Sequence, residues 1–252
     1  MKQLFRKLTL ALAVSLAASG AQAGLITFDG PSLDTSNAPF APFFMTDGDT
    51  LVQGSFAVTT FNATNSGAPD HSSLVGALID GVNNQCDSSS LSCPKNNRGA
   101  YLASANDGVP VLQKINGGIF NLISFRAAFI GDVGFTNTEA SGIRAGFMRV
   151  IGVLADGSFT ITDASLAGID SSGSTSFATF FLPTAMQAMN FVEVDFFGFS
   201  CNSDGSCTDA FTNNRGQFAL DDVEVIPEPG ILLLVASALG ALAFTRRGRR
   251  SV

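Results

Sequence analysis

The chain of 252 residues has no tryptophan, a single tyrosine (Tyr101) and a single histidine (His71), and only 14% of its residues are charged. Each scarcity removes a class of chemistry. A lone imidazole, in Pro69-Asp70-His71-Ser72, leaves one candidate general base, and no Gly-x-Ser-x-Gly elbow stands ready to hold a nucleophile. With no tryptophan, the usual flat platform for stacking a sugar ring is missing, and Tyr101 is the ring left to serve. Glycoside cleavage needs two carboxylates flanking the bond. Between residues 24 and 226 the only glutamates are Glu139, Glu193 and Glu224, and Glu193 alternates with Val192 and Val194 in a strand pattern. The expectation is a protein that is not an enzyme.

Positive charge is scarce too. Of 14 Lys and Arg, three (Lys2, Arg6, Lys7) lie in the first 23 residues and four (Arg246, Arg247, Arg249, Arg250) in the last seven. The stretch 24–226 keeps seven bases against twenty acids, a net charge of −13. Such a body repels polyanions, which excludes nucleic acid as a partner, and offers carboxylates to cations. At 46% hydrophobic residues the chain is too apolar for disorder.

Both ends read as processing signals. Met1 to Ala23 has a basic start, an apolar stretch from Leu8 to Ala18 and the small-residue ending Ala21-Gln22-Ala23. This is the pattern of a secretory signal peptide cut before Gly24, with signal peptidase and the secretion machinery as partners. At the far end Pro227-Glu228-Pro229 precedes the apolar run Gly230 to Thr245 and then Arg246-Arg247-Gly248-Arg249-Arg250. The run is short for a membrane span, which takes about 20 residues, but a tilted or transient helix capped by arginines on the cytoplasmic side agrees with export of the body. The two prolines each remove a backbone N–H and hold the chain extended around Glu228.

This three-part tail resembles the PEP-CTERM sorting signal. The resemblance covers about the last 26 residues, 227–252. It implies recognition of Pro227, Glu228 and Pro229 by an exosortase, an integral membrane cysteine transpeptidase-like enzyme. It further implies a transient stay in the inner membrane through the C-terminal helix, then release to the cell surface or an exopolysaccharide matrix. Gln217-Phe218-x-x-Asp221, just before the signal, resembles a motif that marks a subgroup of these proteins.

Between the ends, apolar residues follow a period of two. Arg144 to Leu154 reads as a strand apolar on both faces, joined through Ala155-Asp156-Gly157-Ser158 to Phe159-Thr160-Ile161-Thr162 in a hairpin. Further strands are expected at Leu25–Phe28, Leu51–Phe61, Ile119–Ile130, Phe177–Leu182, Phe191–Phe199 and Phe218–Val225, with one short helical turn within Thr184–Asn190. About eight or more strands with polar loops predict a single all-β domain over 24–226, a two-sheet, jelly-roll-like sandwich. Its core is expected to be built of phenylalanine, since 21 of the 23 Phe fall in this stretch. Four cysteines in an exported chain suggest two disulfides, Cys86–Cys93 and Cys201–Cys207, each spanning a turn-rich loop; zinc is the weaker alternative, for want of a nearby histidine.

The last strand, Gln217 to Val225, carries the candidate site. Strict alternation puts Gln217, Ala219, Asp221, Val223 and Val225 on one largely apolar face, so Asp221 points inward and must find donors or a cation. One solution is bonding to loop amides and Gln217. The other is a structural Ca²⁺ held by Asp221 or Asp222 together with Asp29 of Thr27-Phe28-Asp29-Gly30, with backbone carbonyls completing the shell. The second solution follows a similarity to extracellular jelly-roll modules, which often set a first strand ending in Phe-Asp beside a last strand of this kind. Asp47-Gly48-Asp49 and Asn202-Ser203-Asp204-Gly205-Ser206 lack the spacing of an EF-hand and read as turns. The functional expectation is a non-catalytic structural or adhesive protein; the alternative is a Ca²⁺-stabilised carbohydrate-binding module associated with exopolysaccharide.

Overall fold

The computed structural model describes residues 23–30, 32–33, 43–62, 68–82, 94–97, 99–106, 108–130, 146–168, 170, 174–201, 206–209 and 216–227. Residues 1–22, Cys86 and Cys93, Glu139, Asn202 to Gly205 and residues 228–252 lie outside the described residues. Leu25–Val225 forms one compact unit.

The fold is all-β. In chain order the elements are β1 (Gly24–Ile26), β2 (Ser32–Leu33), β3 (Phe43–Thr46), β4 (Thr50–Gln53), β5 (Phe56–Asn62), β6 (Leu74–Asp80), β7 (Ala100–Ser104), β8 (Gly108–Lys114) and β9 (Phe120–Phe129). They continue with β10 (Gly146–Leu154), β11 (Phe159–Leu166), β12 (Ala178–Phe181), the single-turn helix α1 (Thr184–Gln187), β13 (Phe191–Cys201), β14 (Cys207–Asp209) and β15 (Phe218–Pro227). Hydrogen bonding links them in the order β2-β4-β5-β8-β13-β9-β15-β7-β6-β3, with β1 on β15, β10 between β13 and β11, β12 on β9 and β14 on β13. The sheet curls. Leu51 and Phe56 from one end of that order and Met45 and Leu78 from the other meet in a single core cluster.

The expected hairpin forms because its turn chemistry fits. Gly157 takes φ +83°, a left-handed value that glycine adopts without penalty. The N–H of Leu154 donates to the Ser158 carbonyl at 2.8 Å, and Asp156 accepts from the Ser158 N–H at 2.9 Å. β10 then pairs antiparallel with β11 from Gly146↔Leu166 to Val153↔Phe159. Only one face of β10 is buried, however: Met148 and Val150 are sealed in the core, whereas Phe147, Ile151 and Val153 are half-exposed. The expectation of a strand covered on both sides is corrected: Phe147, Ile151 and Val153 keep part of their surface in solvent, with the Arg149 guanidinium 5.5 Å over the Phe147 ring.

Leu51–Phe61 likewise is not one strand but the β4–β5 hairpin, turning at Gly54-Ser55. The core is phenylalanine-rich, as expected. Phe120, Phe125, Phe191, Phe196 and Phe218 are fully buried, each contributing about 2–3 kcal/mol through area removed from water. Their rings meet edge to face, with Phe120–Phe191 at 6.5 Å and Phe125–Phe196 at 5.7 Å. A second, smaller cluster of Ile79, Tyr101, Ala103, Ile130, Phe177 and Ala219 lies on the other face of β6, β7, β15 and β9. Cys201 and Cys207 form the expected disulfide, which closes the β13–β14 register and excludes zinc at that pair.

Candidate functional site

The site is a cleft where the first and last strands of the domain meet. β15 pairs with β7 through Phe218↔Ser104 and Leu220↔Leu102, and β1 takes a place on β15 as well. The pairing with β7 ends at Leu220, and two residues on the strand kinks: Asp222 adopts φ +45°, a left-handed conformation that aspartate tolerates better than bulkier residues. This shifts the phase of the strand. Phe218 and Leu220 before the kink and Val223 and Val225 after it enter the same core cluster, whereas Ala219 joins the second cluster. The strict alternation expected from sequence is therefore corrected. Val223 and Val225 share their cluster with Phe218, not with Ala219, because the left-handed residue inserts an extra step. Asp221 is nevertheless buried, at 3% exposure, as expected.

On the facing segment Phe28 also takes a left-handed φ, +56°, its N–H donating to Gln53 Oε1 at 3.1 Å. A bulky residue in this conformation costs about 1–3 kcal/mol, and here its ring is buried in the core while Asp29 turns outward. Asp29 Oδ1 accepts the Ala100 N–H at 2.7 Å, at the first residue of β7. That approach requires Gly99. A Cβ there would stand 2.5 Å from Asp29 Oδ1.

Arg126 of β9 supplies the cation. Its Nη1 lies 3.0 Å from Asp222 Oδ2 and 3.7 Å from Asp221 Oδ2, its Nη2 donates to the Asn96 carbonyl at 3.2 Å, and its guanidinium sits 5.1 Å above the Phe177 ring. Asn96 ties this to a further segment, accepting the Phe177 N–H at 2.6 Å and donating to the Phe177 carbonyl at 2.9 Å. Asp29, Asp221, Asp222 and Arg126, with Asn96, Asn97 and Gly99, line an open cleft of about 360 Å³. Of the three carboxylates, Asp221 and Asp222 share the one guanidinium, and Asp29 takes the Ala100 N–H. Burial first, and then the adjacent charge of Asp222, push the Asp221 carboxyl up to about 7; the Asp222 N–H, donating to Asp221 Oδ1 at 2.8 Å, and Arg126 pull the other way.

Asp29, Asp221 and Asp222, named from sequence, are thus brought to one place. Of the Gln217-Phe218-x-x-Asp221 motif, Phe218 is a core residue at 0% exposure, Gln217 is buried, and Asp221 alone faces the cleft. Pro227, the first residue of Pro227-Glu228-Pro229, ends β15. Tyr101 is not a stacking platform: it is 1% exposed and packs edge to face on Phe177 at 5.4 Å. The expectation failed because β7 is buried on both faces, leaving its one aromatic no route to solvent. His71 stands exposed in the Asp70–Ser73 turn, where Asp70 is held below the ordinary carboxylate range by bonds from Ser72 and Ser73. Asp47-Gly48-Asp49 is a turn, as expected, with Asp47 accepting the N–H groups of Asn62 and Asp70 at 2.8 and 2.7 Å.

Arg126 and Asn96 were not foreseen. A lone arginine in the apolar run Phe125-Arg126-Ala127 was the available signal for the first; Asn96, in Pro94-Lys95-Asn96-Asn97, gave none.

A second feature is the outer face of β8, β13, β10 and β11, set by their registers. Gln113, Glu193, Val153 and Phe159 form one row; Val111, Asp195, Ile151 and Ile161 the next; Phe197, Arg149 and Asp163 a third. Arg149 makes a two-pronged bond to Asp163 at 2.9 and 3.0 Å, and Gln113 donates to Glu193. Asp195 Oδ1 is shut off from water with no hydrogen-bond partner, and burial, then the Glu193 charge, push its carboxyl up to about 7.

No family model matches the chain, and no curated protein matches it. Among solved structures it is similar to an apo-form cyclase from Fischerella sp., at 10% identity and a TM-score of 0.36 over 82% of this chain and 97% of that one. It is also similar to the CBM22-1-CBM22-2 tandem domain of Paenibacillus barcinonensis Xyn10C, at 13% identity and a TM-score of 0.30 over 76% and 51% of the two chains. A third likeness is to the Clostridium perfringens ZmpB M60 catalytic domain with its CBM51 domains, at 9% identity and a TM-score of 0.29 over 83% and 20%. Similarity at this level assigns neither a ligand nor an activity.

Proposed function

We propose that this is an exported cell-surface or extracellular-matrix protein with a non-catalytic structural or adhesive domain. In this reading the domain is a two-sheet, jelly-roll-like sandwich, and the chain is sorted through its C-terminal signal by an exosortase. One observation carries the structural role: the charged groups of the cleft spend their bonds on joining parts of the chain. Asp29 holds β7, Arg126 joins β9 to β15 and to the Asn96 segment, and Asp222 receives that arginine. Such a clamp ties the segment after β1 to β7, and β9 to β15, directly before the tail by which the protein would be held in the inner membrane and cut.

The donors at the cleft suit a hard cation. They are carboxylate, carboxamide and carbonyl oxygens, the ligand set of Ca²⁺. Among the described residues no three acidic, His or Cys side chains form a metal-holding group, so the ion would take Asp29 with one of Asp221 and Asp222, and carbonyl oxygens would complete the shell. The ion would add the positive charge that Arg126 alone leaves short. Chelation should then lower the melting temperature of the full-length protein, because an ion that binds only the folded state stabilises it by mass action; identical melts with and without chelator would remove Ca²⁺. For sorting, Glu228→Ala should leave export intact and block removal of the tail, and normal processing of that variant would overturn the exosortase reading.

A second reading, a Ca²⁺-stabilised carbohydrate-binding module associated with exopolysaccharide, is favoured by one observation. The outer face of β10 and β11 exposes aromatic and apolar side chains beside carboxylates, with Phe159 66% exposed.

A further inference from the structure

The outer sheet face is too apolar for a surface left to water. Solvent-facing sheet positions are ordinarily polar, yet this one carries Phe147, Ile151, Val153, Phe159 and Ile161 on two adjacent strands. Phe147 and Phe199 stack at 4.4 Å across β10 and β13, and Ile161 is 46% exposed beside Phe159. A contiguous apolar patch of this kind marks a binding surface.

The polar groups within it narrow the occupant. Asp195 lies between Val111 and Ile151, two residues along the strand from Glu193, with Oδ1 shut off from water, which leaves Oδ2 as its oxygen toward an occupant. Arg149 is already committed to Asp163. The face therefore holds apolar ground, the carboxylates of Glu193 and Asp195 and a surplus of negative charge. A second copy placed face to face would desolvate like charges against one another, which is costly. An anionic lipid surface would meet the same repulsion. What fits is a partner with flat apolar faces and many hydrogen-bond donors: a polysaccharide strand without acidic groups. Adjacent strands lie about 4.8 Å apart, so the distance from Phe159 on β11 to Glu193 on β13 is about the length of two linked sugar rings.

We propose that the outer face of β13, β10 and β11 is a binding platform for a neutral or amino-substituted polysaccharide. Sugar rings lie on Phe159, Ile161 and Ile151, and hydroxyl or ammonium donors meet Asp195 and Glu193. The inference rests on the carbohydrate-binding reading and gives it a site distinct from the cleft.

The test is binding of the full-length protein, in mild detergent, to a neutral β-glucan, to chitosan and to alginate. The wild type should bind the glucan or chitosan at least ten-fold more tightly than alginate; preference between those two tells hydroxyl from ammonium donors. Phe159→Thr and Asp195→Ala should each weaken that binding ten-fold or more, while Phe44→Thr, an exposed phenylalanine on β3, should leave it unchanged. Phe159→Thr alters a side chain that is largely in solvent, so an unchanged melting curve separates lost binding from lost fold. If the wild type binds none of the three, the carbohydrate reading and the platform both fall. If it binds and the platform variants bind as well, the reading stands and this site is wrong. A dimer in light scattering that Phe159→Thr dissolves, without glycan binding, would give the face to a second copy and overturn the proposal.

Discussion

Replacing Asp195 by asparagine should stabilise the protein at pH 8 and do little at pH 4. Asp195 sits half-buried in an apolar row, Glu193 adds like charge on the same strand, and Arg149, one row away, is occupied by Asp163. Its carboxyl is raised from 3.8 to about 7. Below pH 4 both folded and unfolded chains hold the proton and the residue costs nothing. Between 4 and 7 the unfolded chain has lost its proton while the folded one keeps it, so stability falls as pH rises. Above 7 the full penalty is present. A shift of about three units at about 1.4 kcal/mol each sets a ceiling near 4 kcal/mol, which partial exposure to solvent reduces to roughly 2 kcal/mol. Asparagine keeps the shape and removes the charge. Urea unfolding of both full-length proteins at pH 4, 6 and 8 measures the difference, and Asp221, raised to about 7 in wild type and variant alike, cancels. A gain that stayed the same from pH 4 to 8, or a loss at pH 8, would refute the reasoning.

A second perturbation tests the clamp. Gly99→Ala should cost about 1–3 kcal/mol of stability through overpacking, because its methyl group would collide with the Asp29 oxygen that accepts the Ala100 N–H; denaturant melts within a few tenths of a kcal/mol of wild type would show the contact to be slack.

The fold was legible in sequence where one face of a strand is wet. β11, entered through the Asp-Gly turn, and β13 show the alternation that burial on one face produces, whereas β10, apolar on both faces in sequence, was legible as a strand but not as one with a wet face. β6 and β7 escaped notice because both their faces are covered, which erases any period: five consecutive residues of β6, Val75 to Ile79, are buried. The same double burial took Tyr101 out of reach of a ligand. Of the site, Asp29, Asp221 and Asp222 were legible, since a carboxylate in an apolar strand demands compensation. The manner of compensation was not. The left-handed Asp222 that shifts the register of β15, and the arrival of Arg126 from a strand nearly 100 residues earlier, depend on pairings that local pattern does not encode.

The most direct test of the account is the intact mass of the protein from its native host, measured in each cell fraction. A chain beginning at Gly24, lacking the apolar run and arginine cluster, and found at the surface or in the matrix is the predicted result; a chain that keeps residues 227–252 and stays in the inner membrane would contradict it.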